Sequence, residues 1–328
     1  MISTTRRMLL AAGVAIATLA TMPVAALAQQ ALRFADVTTA DAPRSVALVN
    51  IFAKELGDGY KFEPFFNSTL FKQGTELVAI QRGNLDMAIL PPADLAKQLP
   101  EFDILGAAYV VRSPEHLNAI FDSDIGEEFR KIAREKLNVE ILAPVYYGAR
   151  QVNLKGDKKI MKPEDLAGVK LRMPGGESWQ FLGKAIGANP VAVDYAETYT
   201  ALQTGAIDGQ DNPLPNDKLM KFYEVTDQIV LTSHNIGFGM FLISTKVFDA
   251  LPKEEQDRMR SLAKKAFASS TAEYLKQEKE LVDFFKAEGL DVYEPDVEAF
   301  RTYAQKQYLE SSLSKSWPAG LLERINAL

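Results

Sequence analysis

At 328 residues, 47% of them hydrophobic and 24% charged, the chain is long enough for two domains and apolar enough to bury a sizeable core, which excludes a disordered chain. Acidic residues outnumber basic ones by 43 to 37, a formal charge of -6, so the basic excess of a nucleic-acid binder is missing. With no cysteine in the chain, disulfides, thiolate metal sites, iron–sulfur clusters and cysteine nucleophiles are excluded outright.

Arg6 and Arg7, the apolar and small residues from Met8 to Met22, and Ala26-Leu27-Ala28 compose a signal peptide over residues 1–28, with a mature start near Gln29. The string from Thr5 to Leu10 leaves general secretory and twin-arginine export both open. Thr18, Thr21 and Pro23 break the run too early for an uncleaved anchor, and no later stretch is apolar enough to span a membrane.

Residues 31–37 alternate as a first strand, 43–56 carry helical spacing, and 60–66 alternate again. A helix over 75–81, a cap at Gly83 and a buried strand over 85–90 follow. The pattern A-[IL]-Q-x-G-x-[LI]-D at Ala79–Asp86 recurs at Ala201–Asp208, 122 residues on, which predicts two lobes built on one plan. Residues 102–111 are apolar enough for burial, Ser113-Pro114 starts a helix, 126–137 is amphipathic, and 139–147 reads as a strand leading to a first crossing between lobes. Beyond it, 162–166 reads as a short helix, 169–173 as a strand, 179–186 as a helix closed by Gly187, and 189–193 as a strand. Asp194 with Glu197 has the spacing of a capping box for the helix that ends at Gly205, and strand 206–210 follows. Residues 222–231 and 237–244 read as two more strands with a return crossing between them. Residues 253–286 suit one long helix or two in line; 290–293 reads as a late strand and 297–309 as a final amphipathic helix. Strands alternating with helices make the class α/β.

No catalytic constellation emerges. His116 and His234 lie far apart without metal-ligand spacing, and both read as surface or structural residues. There is no G-x-S-x-G, no P-loop and no complete G-x-G-x-x-G, so no catalytic residue, metal or cofactor is assigned. Binding parts are better represented. Arg172 ends the strand VKLRM just before Pro174, where an open sheet presents its carboxyl edge, and a guanidinium there can grip a carboxylate by two parallel bonds. Asn212 follows a strand and precedes Pro213; Tyr195 begins a helix; Arg150 lies beside the first crossing. Taken singly, each is equally at home as a surface ion pair, a turn former or a core aromatic.

Together they carry a resemblance. The string AVDYAETYTALQTGAIDGQDNP, preceded by PEDLAGVKLRMP over 163–174, resembles the signature region of the solute-binding proteins of tripartite ATP-independent periplasmic (TRAP) transporters, a family named for dicarboxylate uptake. FNSTLF, IQRGNLDMAIL and DALPKEEQ are similar to the family as well, so the resemblance runs from Phe34 to about Tyr303. It implies a two-lobed periplasmic-binding-protein-like fold with a cleft at the hinge and a long helix over both lobes. The lobes expected are 29–148 plus about 237–275, and 149–236 plus about 276–328. It implies a non-enzymatic periplasmic monomer that captures a small organic acid, partnered by a TRAP-type permease. In it Arg172 resembles the arginine that pairs with the ligand carboxylate, Arg150 a second cleft arginine, Asn212 the cleft asparagine and Tyr195 a cleft aromatic. Ala108 stands before Tyr109 where the family often has proline, a departure in the lobe that helps set ligand size and polarity. An exported enzyme acting on organic acids, or a binding protein of an ATP-driven transporter or sensor, is the alternative.

Overall fold

The computed structural model describes residues 29–328; the expected signal peptide, with Arg6 and Arg7, lies outside the described residues. The strands are β1 (Gln30–Ala35), β2 (Tyr60–Phe65), β3 (Met87–Leu90), β4 (Val139–Leu154), β5 (Lys170–Met173), β6 (Asn189–Ala192), β7 (Gly209–Pro213), β8 (Gln228–Ser244) and β9 (Asp291–Tyr293). Among the described residues they join one sheet in the order β2-β1-β3-β8-β4-β7-β5-β6, with β9 beside β8.

Two strands hold the molecule together. β4 and β8, 16 and 17 residues long, pair antiparallel from Val139↔Ser244 to Leu154↔Gln228. At about 3.3 Å per residue such a ribbon is roughly 50 Å long. Its residues are mostly apolar and buried along both faces, the pattern of a covered central strand. One end carries β3, β1 and β2, through Met87↔Ile243 to Leu90↔Met240. The other carries β7, β5 and β6, through Arg150↔Pro213 to Leu154↔Gly209. The two lobes are therefore two wings on one shared ribbon.

The strands expected over 222–231 and 237–244 are not separate. Phe222–Glu224 is a helical turn entered through Lys221 at φ 56°, and β8 then runs unbroken through the polar segment 232–235. The polar side chains find partners without leaving the sheet. Gln151 Oε1 accepts from the Ser233 N–H at 2.8 Å, which holds a bulge where Ser233 reaches φ 45°. Likewise 139–147 and the following crossing are one strand, bent where Gly148 takes φ 120°.

The segment left open between one helix and two is a single helix, Lys253–Ala287. It contains no Gly or Pro, and its buried residues recur at helical spacing from Met259 to Phe285. In its first half Met259 and Phe267 pack with Phe241, and near its end Leu281 and Phe285 join Leu214 and Ile229, so it lies over both wings. The C-terminal segment also touches both. Tyr308 meets Phe181 at 4.9 Å, while Arg324 pairs with Glu128 at 2.8 Å.

The sequence repeat is a structural repeat. Gly83 (φ 72°) and Gly205 (φ 75°) end the helices Glu76–Gln81 and Thr198–Thr204 in the left-handed conformation that glycine adopts without penalty. Three residues past each glycine the match continues: Asp86 accepts from the Arg33 N–H at 2.9 Å, and Asp208 from the Lys170 N–H at 2.8 Å. This equivalence places Arg172 opposite Ala35, and Asn212 opposite Leu90, in the other wing. The counterparts of Arg172 and Asn212 on the other wing are thus apolar.

Candidate functional site

Arg172, Arg150, Asn212 and Tyr195 line one cleft between the wings, with about 850 Å³ of empty space, mouth included. The parallel strands β5 and β7 open their carboxyl ends toward it, the edge at which open sheets place ligands.

Arg172 is 1% exposed. Its Nε donates to Val193 O at 2.7 Å and its Nη2 to Gln73 Oε1 at 3.1 Å, and among the described residues no carboxylate lies within ion-pair distance of it. Burial pulls its pKa down to about 10, Arg150 pushes the same way, and Asp211 offsets part of this. The group remains a cation at neutral pH, desolvated and, among the described residues, without a carboxylate in direct contact.

Arg150 is placed differently. Its Nε meets Asp211 Oδ2 at 2.6 Å and its Nη2 meets Oδ1 at 3.0 Å, and the guanidinium lies 4.9 Å from the Trp179 ring centroid. Burial alone would raise the Asp211 carboxyl; Arg150 and the His234 hydrogen bond overcome it and hold the group well below the usual carboxylate range. His234, fully buried, joins Asp211 through Nε2 at 3.1 Å and Thr232 Oγ1 through Nδ1 at 2.8 Å. His116 is also buried, its Nε2 2.9 Å from Ile325 O. Both histidines are structural, and neither is a surface residue.

Asn212 donates to Gln210 Oε1 at 2.5 Å and accepts from Asn216 at 3.3 Å. The Tyr195 ring stands edge-on to Phe222 at 6.1 Å, with the Arg172 guanidinium 5.9 Å from its centroid. Burial raises its phenol, which keeps the proton; the hydroxyl is buried with no hydrogen-bond partner among the described residues. The expected capping box does not form, since the Asp194 side chain makes no cap bond. The Tyr195 N–H at that helix start instead donates to Gln73 Oε1 at 2.9 Å, so the other wing supplies the cap.

Gln73, Glu76, Arg44 and Trp179 also line the cleft and were not singled out in the sequence. The repeat carried a signal for two of them, because its 122-residue offset makes Gln73 the counterpart of Tyr195, and Glu76 that of Thr198. Arg44 and Trp179 left no comparable trace. Among the described residues no group of His, Asp and Glu is arranged to hold a metal ion, and no helix is long and apolar enough to cross a membrane.

Residues 34–315 match the DctP family, described as bacterial extracellular solute-binding protein, family 7. A TRAP periplasmic solute-binding protein from Roseobacter denitrificans, solved with bound 3-deoxy-D-manno-oct-2-ulosonic acid, superposes with a TM-score of 0.90 at 42% identity, over 91% of this chain and 99% of that one. A second from the same species, solved with L-galactonate, gives 0.81 at 25% identity, over 91% and 99%. In sequence, the sialic acid-binding periplasmic protein SiaP of Vibrio cholerae is 35% identical over 228 residues, 70% of each chain.

Proposed function

This chain belongs to bacterial extracellular solute-binding protein family 7, and on that ground we propose that its cleft captures the carboxylate of a small organic acid with Arg172, Arg150, Asn212 and Tyr195. The observation that carries this is the charge state of Arg172, a buried cation with no carboxylate partner among the described residues. A buried unpaired charge is costly, and an incoming carboxylate repays that cost through parallel hydrogen bonds. Arg150, already held by Asp211, adds a second positive charge in fixed orientation; Asn212 and the Tyr195 hydroxyl supply neutral donors.

The wings close over the acid and exclude water, which strengthens the ion pair. The loaded periplasmic protein then passes the acid, chemically unchanged, to a TRAP-type membrane permease, acting as a monomer without metal or cofactor. Acid sugars are the favoured class, because the 42% identical structure holds an ulosonic acid and SiaP is named for sialic acid.

The test is a thermal-shift screen of organic acids against residues 29–328, followed by calorimetry on Arg172 variants. An acid that binds raises the unfolding temperature, is recovered intact, and loses about 2–5 kcal/mol of affinity in Arg172→Ala. Arg172→Lys also weakens binding, since an ammonium cannot reproduce the two parallel bonds. Near-normal affinity in a folded Arg172→Ala protein overturns the assignment.

A further inference from the structure

Beside Asn212 the second wing buries a row of polar side chains that a grip on a carboxylate does not by itself require. Asp217, on the helix Leu214–Leu219, Gln210 on β7 and Asn153 on β4 are all fully buried. Asp217 Oδ1 accepts from Gln210 Nε2 at 2.7 Å, Gln210 Oε1 accepts from Asn212 Nδ2 at 2.5 Å, and Asn212 Oδ1 accepts from Asn216 Nδ2 at 3.3 Å. Every amide in the row therefore points the same way, nitrogen toward Asp217. The row ends at Asn216 Oδ1, buried without a hydrogen-bond partner among the described residues, and both Asn212 and Asn216 line the cleft.

An amide has nearly the same shape in its two orientations, so packing alone does not choose between them; hydrogen bonding does. Asp217 Oδ1 is an acceptor whether or not Oδ2 carries a proton, so Gln210 must turn its nitrogen to it, and the choice passes along the row. Asn153 supports this more weakly. Its Nδ2 is spent on Gln228 O at 3.0 Å, a group that can only accept, which leaves its Oδ1 to take Gln210 Nε2 at 3.3 Å. Burial holds the Asp217 carboxyl well above its usual range, with the Gln210 hydrogen bond and then Arg150 opposing it, and its Oδ2 has no hydrogen-bond partner among the described residues. A buried carboxyl with one oxygen unpaired costs stability, so packing does not account for it.

We propose that Asp217 is a positioning residue: through Gln210 it fixes which edge of the Asn212 amide faces the cleft. This rests on the capture of an acid by that cleft proposed above. Of the two hydrogens on Asn212 Nδ2, one is spent on Gln210 and the other is left for a ligand oxygen. In the reversed orientation an oxygen would stand in its place and repel a carboxylate.

Two measurements on residues 29–328 test this. The first needs no ligand: the side-chain amide signals of Asn212 in proton–nitrogen correlation spectra, assigned by their loss in Asn212→Ala. A single set is expected in the wild type and in Asp217→Asn, and shifted or doubled signals in Asp217→Leu, where the acceptor is gone. The second is calorimetry with 3-deoxy-D-manno-oct-2-ulosonic acid and L-galactonate, the acids held by the two similar structures. Asp217→Leu binds about three- to tenfold more weakly, the worth of one neutral hydrogen bond. Asp217→Asn keeps an acceptor of the same shape, and Asn153 still turns the Gln210 nitrogen toward it, so its affinity stays within about twofold.

Unmoved Asn212 signals in Asp217→Leu, wild-type affinity in that variant, or an equal loss in Asp217→Asn overturns the assignment. A residue that only packs gives the first two results, and one that acts by its charge gives the third. If Arg172→Ala abolishes binding while Asp217→Leu changes nothing, the positioning role alone fails. If the wild-type protein binds neither acid, capture of these acids fails, and the amide signals decide the role of Asp217 by themselves. Should Asp217→Leu not fold, Asp217→Ala, which removes the acceptor without adding bulk, replaces it in both measurements.

Discussion

Gln73 and Arg172 meet across the cleft: Oε1 of the amide accepts from Nη2 at 3.1 Å and, at 2.9 Å, from the Tyr195 N–H. One side chain of the first wing thus bonds both Arg172 and the helix start beside it. Two hydrogen bonds are worth about 1–3 kcal/mol net. Gln73→Ala shifts the ligand-free protein toward an open cleft by that amount, seen as a larger radius of gyration in small-angle X-ray scattering. An unchanged radius would show that the contact does not hold the wings.

Glu76 ties stability to pH. Its folded-state pKa, about 8, lies above the unfolded carboxyl value, so the folded state binds the extra proton and stability falls as pH rises through that interval. The full shift corresponds to at most about 5 kcal/mol. Urea midpoints of the wild-type protein should decline from mildly acidic pH toward pH 8 more steeply than those of Glu76→Gln. Parallel curves would show that Glu76 is not held protonated.

Asp211 has the opposite sign. Its depressed pKa means that its stabilisation is present above the unfolded carboxylate pKa and is lost as pH falls through the folded one. Asp211→Asn leaves Arg150 buried without its counter-charge and costs about 3–5 kcal/mol. The variant also loses part of the acid-side slope in a pH series of denaturation midpoints; retention of the full slope would assign it to other carboxylates.

Gly148 bends β4 where the wings meet. At φ 120°, an added Cβ would lie 2.8 Å from Pro213 Cβ and 3.1 Å from Glu278 Oε1, the oxygen that also accepts from the Ala149 N–H. Gly148→Ala costs about 1–3 kcal/mol in backbone strain alone, measured as a lowered unfolding temperature. A variant as stable as wild type would mean that the ribbon relaxes at this point.

By itself the sequence determined the alternation of strands and helices, the duplicated helix–Gly–strand junction, and the arrival of Arg172 and Asn212 at strand ends. These follow from periodicity and caps that act over a few residues. The tertiary structure decided the rest. Residues 232–235 read as a polar break, yet they remain in β8 because Gln151 and Asp211, distant in sequence, satisfy them. Asp194 and Glu197 have capping-box spacing, yet Gln73 caps that helix start. Arg150 and Arg172 look alike in sequence, but only Arg150 folds against a carboxylate. Glu76 is an ordinary acidic residue until burial beside Asp94 and Asp36 holds its proton. Desolvation and charge pairing depend on which surfaces meet across the ribbon, and residue spacing carries no record of that.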